Sequence, residues 1–260
     1  MDRKVTVIFG SSGEMGSCCV RSFKKIDFKV VGVDLKAGKD DIDLQFIGDV
    51  KDPNFIDLTY KEIVSKLGRI DCVVNTISGQ ANSYNKNDSL VERFNAVVDN
   101  DLKSAYMITE AAIQHMKPAG GNIVHVGSIA GQSLGSKSMP YAMTKSALVG
   151  LVKSAARLYG RFDIKVNAVA PGILGGERTA TAEHEVKFGY NTAILNQTPL
   201  KRWGTNEEIS SLITFIGSDG CPFLTGQTII VDGGATLTCG LRVDSDDITN
   251  WQKFQVSGES

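Results

Sequence analysis

Tyr141 and Lys145 stand four residues apart in Pro140-Tyr141-Ala142-Met143-Thr144-Lys145. At helical spacing they share one face, one turn apart. A tyrosine hydroxyl, with an unperturbed pKa of about 10, is a poor base at neutral pH. A neighbouring ammonium favours the phenolate, so this pair makes chemical sense as an acid/base couple. Ser128 follows a strand-like run, in Val124-His125-Val126-Gly127-Ser128. Its hydroxyl can hold a reacting oxygen beside the phenol; taken alone it reads more readily as a turn serine.

A second chemical signature lies at the other end of the chain. Gly10-Ser11-Ser12-Gly13-Glu14-Met15-Gly16 joins a short apolar run, Val5–Phe9, to a helix-like segment. Glycines let backbone approach a pyrophosphate, and the helix N-terminus offers it free N–H groups and positive dipole. Three glycines at this spacing also make a plain strand–helix turn. Asp34, about 20 residues on at the end of the next strand, strengthens the nucleotide reading, since a carboxylate there accepts from adenosine ribose hydroxyls. It also repels a 2′-phosphate, and Gly10–Gly16 carries no Lys or Arg to offset it. NAD is therefore favoured, with Lys36 and Lys39 near enough to keep NADP open. Asp49, before Val50, is placed to accept from an adenine amino group, or equally to cap the turn before Pro53.

These residues need a scaffold. Runs at Val5–Phe9, Lys29–Val33, Leu44–Ile47, Ile70–Val74, Asn122–Val126, Lys165–Val169 and Gln227–Val231 read as strands. Several are almost wholly apolar, as buried parallel strands are. Helical spacing lies between them at Glu14–Lys25, Asn54–Leu67, Ser89–Met116, Tyr141–Tyr159 and Glu207–Ile216. The alternation predicts an α/β fold: a doubly wound parallel sheet of Rossmann type, with seven strands and helices on both faces. Its 260 residues suit one such domain over 1–260. Ligands in this architecture bind at the carboxyl ends of strands, which brings Ser128 toward Tyr141.

Composition excludes other classes. With 28 Lys plus Arg against 29 Asp plus Glu, the net charge of −1 gives no motive for binding nucleic acid or an anionic membrane. No apolar run approaches the ~20 residues that span a bilayer. Five cysteines without paired CxxC spacing argue for reduced thiols, and the N-terminus enters a strand directly, so a cytoplasmic location is expected. His115, His125 and His184 lack metal-like spacing, and no metal is expected.

Together these residues resemble the short-chain dehydrogenase/reductase family, in its common form of about 250 residues, from Val5 to Gly234. Phe9–Gly16 looks like the family's Thr-Gly-x-x-x-Gly-x-Gly loop. Asn75 lies in the counterpart of its Asn-Asn-Ala-Gly segment. Ser128 precedes Tyr141 by the usual interval of 13 residues, and Tyr141–Lys145 matches Tyr-x-x-x-Lys. Pro171-Gly172-Ile173 looks like the segment bordering the nicotinamide, and Asp232-Gly233-Gly234 matches the Asp-Gly-Gly after the last strand.

The resemblance implies interconversion of a small secondary alcohol and a ketone by hydride transfer with NAD(P). Tyr141 would be the general acid/base, Ser128 would hold the substrate oxygen, and Lys145 would bind the nicotinamide ribose. It further implies cofactor contacts from Gly10, Ser12, Gly13, Glu14, Met15, Gly16, Asp34, Asp49, Val50, Asn75, Tyr141, Lys145, Pro171, Gly172 and Ile173. A homo-oligomer, tetramer or dimer, through Ser89–Met116 and Tyr141–Tyr159 is implied as well. The same fold also serves epimerases and dehydratases that use NAD transiently, in longer chains; a non-catalytic NAD-binding regulator is the alternative of another class.

Four positions depart from the family pattern. Glu14 takes the place of the second glycine, with Gly13 beside it available for flexibility. Asn75-Thr76-Ile77-Ser78-Gly79 is one residue longer than its counterpart. The family's catalytic Asn falls at Asp101, or at Asn100 one residue earlier, and one residue turns a helix by ~100°. Gly176 takes the place of a threonine, leaving Thr179 to hold the carboxamide. Segment 174–199 is expected to be a substrate lid, and its polar content suits a polar or anionic substrate or, at least as well, a plain solvated loop. Segment 236–260 is an extension in which Trp251 and Phe254 lie at helical spacing.

Overall fold

The computed structural model describes residues 3–78, 87–133, 136, 138–175, 195 and 198–237. Most of the expected 174–199 segment, the 236–260 extension beyond 237, and Gly79, Gly176 and Thr179 lie outside the described residues.

Seven parallel strands form one sheet in the order β3-β2-β1-β4-β5-β6-β7. They are β1 Val5–Phe9, β2 Lys29–Asp34, β3 Leu44–Ile47, β4 Cys72–Asn75, β5 Gly121–Val126, β6 Ile164–Pro171 and β7 Thr228–Val231. The helices are α1 Glu14–Lys25, α2 Pro53–Leu67, α3 Leu90–Val98, α4 Ser104–Met116, α5 Met139–Tyr159 and α6 Asn206–Gly217. Central strands are buried on both faces, which is why they read as continuous apolar runs rather than alternating ones.

The alternation along β1 separates two cores. Val5, Val7 and Phe9 point to one face, where Ile56, Tyr60 and Ile63 of α2, Ile108 and Ile113 of α4 and Val152 of α5 cover them. Ile8 points to the other, with Cys19 and Phe23 of α1 and Ile209, Ile213 and Ile216 of α6. Burial of these side chains contributes roughly 1.5–3 kcal/mol each.

Strand order reverses between β1 and β4, where Phe9 pairs with Asn75. The loops leaving the two strands diverge there and open a crevice, the usual ligand position in this class of sheet. Most expected boundaries agree within two residues. The exception is the single helix expected over 89–116. The structure divides it into α3 and α4 around a π-helical turn, Asp99–Lys103. Helical spacing continues on both sides of such a turn, so the segment reads in sequence as one helix.

Candidate active site

The glycine loop is held by the strands that flank it. Gly10 adopts a positive φ of 80° and donates its N–H to Val33 O at 2.8 Å. Gly16 sits on the first turn of α1, where an added Cβ would lie 2.0 Å from Gly10 O. Only glycine lets this turn close on the loop. Gly13 is the N-cap of α1 and supplies no side-chain hydrogen bond, so the helix begins without a capping side chain. The first N–H groups of α1 are the kind an anion satisfies. Gly13 has an ordinary φ of −76°, so its expected flexibility is not used in this conformation. The Glu14 side chain faces outward and accepts from Asn206 Nδ2 at 3.4 Å.

Asp34 closes the loop from the side. Its Oδ2 accepts from Ser12 N at 2.9 Å, and Ser12 Oγ donates to Lys36 O at 2.8 Å. A carboxylate therefore lies against the loop with Met15 and Gly16 one turn on. Asp49 follows β3, accepts from Lys51 N at 2.9 Å, and pairs with Lys51 Nζ at 3.3 Å, so its side chain has local partners; Val50 beside it is buried.

Asn75 ends β4. Its Nδ2 faces His125 Nδ1 at 3.4 Å, and its Oδ1 accepts from Ile77 N at 3.1 Å. Its side chain is engaged by β5 and by the backbone of the loop that follows β4. His125 Nε2 lies 3.0 Å from Thr109 Oγ1, and that hydroxyl donates to Ala105 O. The network assigns the proton to Nε2, with Nδ1 accepting from Asn75. Burial pushes His125 down to about 3, helped by the positive charge of Lys145. His125 looked in the sequence like one more core residue; only its strand partners reveal that it ties β4 to α4 beneath the site.

At the carboxyl end of β5, Ser128 caps a short 3₁₀ turn, Ile129–Gly131, its Oγ accepting from Ala130 N at 3.1 Å. Gly131 O accepts from Ser146 Oγ of α5 at 3.0 Å, which clamps this loop to the helix carrying Tyr141 and Lys145. Tyr141 lies in the first turn of α5, where Pro140 costs no helical hydrogen bond. Lys145 is 3% exposed, donates to Val126 O at 3.1 Å, and places Nζ 5.6 Å from the Tyr141 ring centroid.

The π-turn sets Asn100 and Asp101 on different sides. Asp101 points inward with Oδ2 3.8 Å from Lys145 Nζ and 3.4 Å from Ser78 Oγ. Asn100 supports it, donating Nδ2 to Asp101 Oδ1 at 2.8 Å, while its carbonyl accepts from Ser104 Oγ. Ser78, in the lengthened segment after β4, was not singled out from sequence; its proximity to Asp101 is a tertiary fact without a local signal.

On the far side of the crevice Pro171 ends β6, and Gly172 donates its N–H to Val231 O at 2.9 Å. Asp232 Oδ1 and Oδ2 accept from Gly234 N and Thr236 N at 2.9 and 2.7 Å, fixing the turn opposite Gly172-Ile173. The uncapped α1 terminus, the close Gly16–Gly10 approach and the Asp34 carboxylate suit a dinucleotide. Among the described residues no group of three or more His, Cys, Asp or Glu gathers as metal ligands, and no helix is long and apolar enough to cross a membrane.

A family model described as enoyl-(acyl carrier protein) reductase matches residues 14–236. The chain is 34% identical over 191 residues to 3-oxoacyl-[acyl-carrier-protein] reductase FabG of Staphylococcus aureus strain Mu50, covering 71% of this chain and 74% of that one. The chain belongs to the short-chain dehydrogenase/reductase family. Another relative in this family, L-fucose dehydrogenase of Rattus norvegicus, is 27% identical over 255 residues, 94% of each chain. The solved aldohexose dehydrogenase of Thermoplasma acidophilum shares the fold, with a TM-score of 0.83 at 22% identity over 94% of this chain and 98% of that one. As a short-chain dehydrogenase/reductase, this protein is an NAD(P)-dependent oxidoreductase acting on the alcohol/ketone pair.

Proposed function

We propose that the protein is an NAD-preferring oxidoreductase of secondary alcohols and ketones in which Tyr141 carries the proton. The observation that supports this most is the buried Lys145 ammonium, 5.6 Å from the Tyr141 ring centroid at the carboxyl end of β5. A phenol there takes a proton from an alcohol in one direction and returns one to a ketone in the other. Ser128 Oγ donates to the same substrate oxygen. Lys145 Nζ holds ribose hydroxyls, and Asp101 and Asn100 steady it from the π-turn. Gly10 to Gly16 receive the pyrophosphate at α1, Asp34 takes the adenosine ribose, and Pro171, Gly172 and Ile173 border the nicotinamide. When bound, the nicotinamide supplies or accepts the hydride.

Asp34 favours NAD over NADP. A 2′-phosphate placed against its carboxylate meets like charge, while Lys36 and Lys39 are exposed on the following loop. The polar content of 174–199 (Glu177, Arg178, Glu183, Lys187, Asn191) and the two sugar dehydrogenases among the similar proteins make hydroxylated, sugar-like alcohols the leading substrate class.

Exposed apolar residues on α4 and α5, Tyr106, Met143 and Leu158, suit a homo-oligomer, tetramer or dimer. The free thiols Cys18, Cys19 and Cys72 suit the cytoplasm. The test follows reduced-cofactor absorbance across sugars, hydroxy acids, 3-oxoacyl thioesters and steroids, with NAD and NADP in parallel. Turnover with NAD at higher kcat/KM supports the reading; preference for NADP overturns the argument from Asp34.

A further inference from the structure

We propose that Asp101 sets the balance between oxidised and reduced cofactor by cancelling the charge of Lys145. The Asp101 side chain is wholly buried, and its Oδ2 lies 3.8 Å from Lys145 Nζ, on a side chain 3% exposed. A buried carboxylate is costly unless paired and hydrogen-bonded. Here Lys145 pairs with it, Asn100 Nδ2 donates to Oδ1, and Ser78 Oγ lies 3.4 Å from Oδ2. The π-turn is what aims Asp101 inward. On the outer side of that turn Asp99 and Lys103 pair with each other at 3.3 Å. His125, beneath Lys145, adds no charge at neutral pH because burial holds it down at about 3. Lys145 and Asp101 thus form an ion pair without net charge whose ammonium end is the one that lies 5.6 Å from the Tyr141 ring centroid.

That neutrality has a consequence for the ligand. The nicotinamide ring carries a positive charge when oxidised and none when reduced. A lone buried ammonium beside it penalises the oxidised form alone, and the penalty is large where water is excluded. Asp101 removes the penalty, so this chain holds NAD⁺ more tightly relative to NADH than it would with an amide there. Asp101 acts through Lys145 and is a positioning and charge-setting residue.

The inference rests on the reading of the crevice as a nicotinamide site, and its test needs no substrate. Dissociation constants for NAD⁺ and NADH are measured by calorimetry on the parent protein, on Asp101→Asn and on the double variant Asp101→Asn/Lys145→Met. In Asp101→Asn the ratio Kd(NAD⁺)/Kd(NADH) is expected to rise about tenfold. In the double variant, again without net charge, the ratio returns to within about twofold of the parent's, although both cofactors bind less tightly. A purely structural role weakens both cofactors alike and leaves the ratio still.

An unchanged or lowered ratio in Asp101→Asn, or a double variant whose ratio departs from the parent's, overturns this proposal while leaving the oxidoreductase reading intact. Binding of neither cofactor to the parent protein overturns the nicotinamide reading and this proposal with it.

Discussion

Two buried lysines mark the two ends of the sheet, and their surroundings differ. Lys165, near the start of β6, sits between Asp163 at 3.3 Å and Asp219 at 3.2 Å; Asp219 also accepts from Asn122 Nδ2 and pairs with Lys4 at 3.5 Å. Lys145, at the carboxyl end, has Val126 O at 3.1 Å and Asp101 at 3.8 Å, beyond hydrogen-bond length. The lower lysine is satisfied by the fold. The upper one has a single hydrogen-bond acceptor within reach among the described residues, which suits the ligand role proposed for it. Polar groups that only hold structure are closed on one another; those that bind are left partly open.

Substitutions at the two ends are expected to separate along this line. Lys145→Met should lower turnover about a thousandfold, equivalent to about 4 kcal/mol of barrier, as steady-state assays would read. Finding turnover within about threefold of the parent would remove the upper lysine from the chemistry. Gly16→Ala should cost about 3 kcal/mol in denaturant unfolding and abolish measurable cofactor binding, because its methyl meets Gly10 O at 2.0 Å.

The carboxyl end also carries an acid liability at His125. Its folded value of about 3 lies below the unfolded value of 6.5. The unfolded chain therefore takes up a proton first, and stability present above about pH 6.5 is lost as pH falls toward 3. The loss by pH 4 is about 3 kcal/mol. His125→Asn should flatten that slope in unfolding measured between pH 7 and pH 4; an unaltered slope would show that His125 is not the titrating group. The smallest effect belongs to the lower end. Lys165→Met should cost about 1–2 kcal/mol, since Asp163 and Asp219 remain solvated, and leave kcat within twofold. A fall in kcat at unchanged stability would erase the distinction between the ends.

The sequence carries the scaffold in forms that survive without neighbours. β1, α1 and β3 have the boundaries that their apolar runs and glycines indicate, because burial on both faces and the close turn at Gly16 leave few alternatives. Tyr141, Lys145, Ser128 and the glycine loop stand out as candidates from spacing and the strand–helix order. The region around Asp101 resists such reading. A π-turn adds one residue and rotates the face that follows by about 100°, so which of Asn100 and Asp101 points inward is not fixed until Lys145 is placed opposite them. Asn75 looks like a nucleotide contact in sequence, yet its side chain is spent on His125 and Ile77, a pairing set by β4 lying beside β5. Ser78 reaches Asp101 across 23 residues of chain, a contact no local pattern signals.

The central claim is that the phenol above Lys145 carries the proton while the glycine loop holds the cofactor. It is tested most directly by comparing the parent protein with Tyr141→Phe, measuring NAD affinity by calorimetry and hydride turnover by reduced-cofactor absorbance on the best substrate of the panel. The account expects turnover to fall about a thousandfold, with the NAD dissociation constant changed less than about threefold. Turnover that survives the loss of the hydroxyl would contradict it.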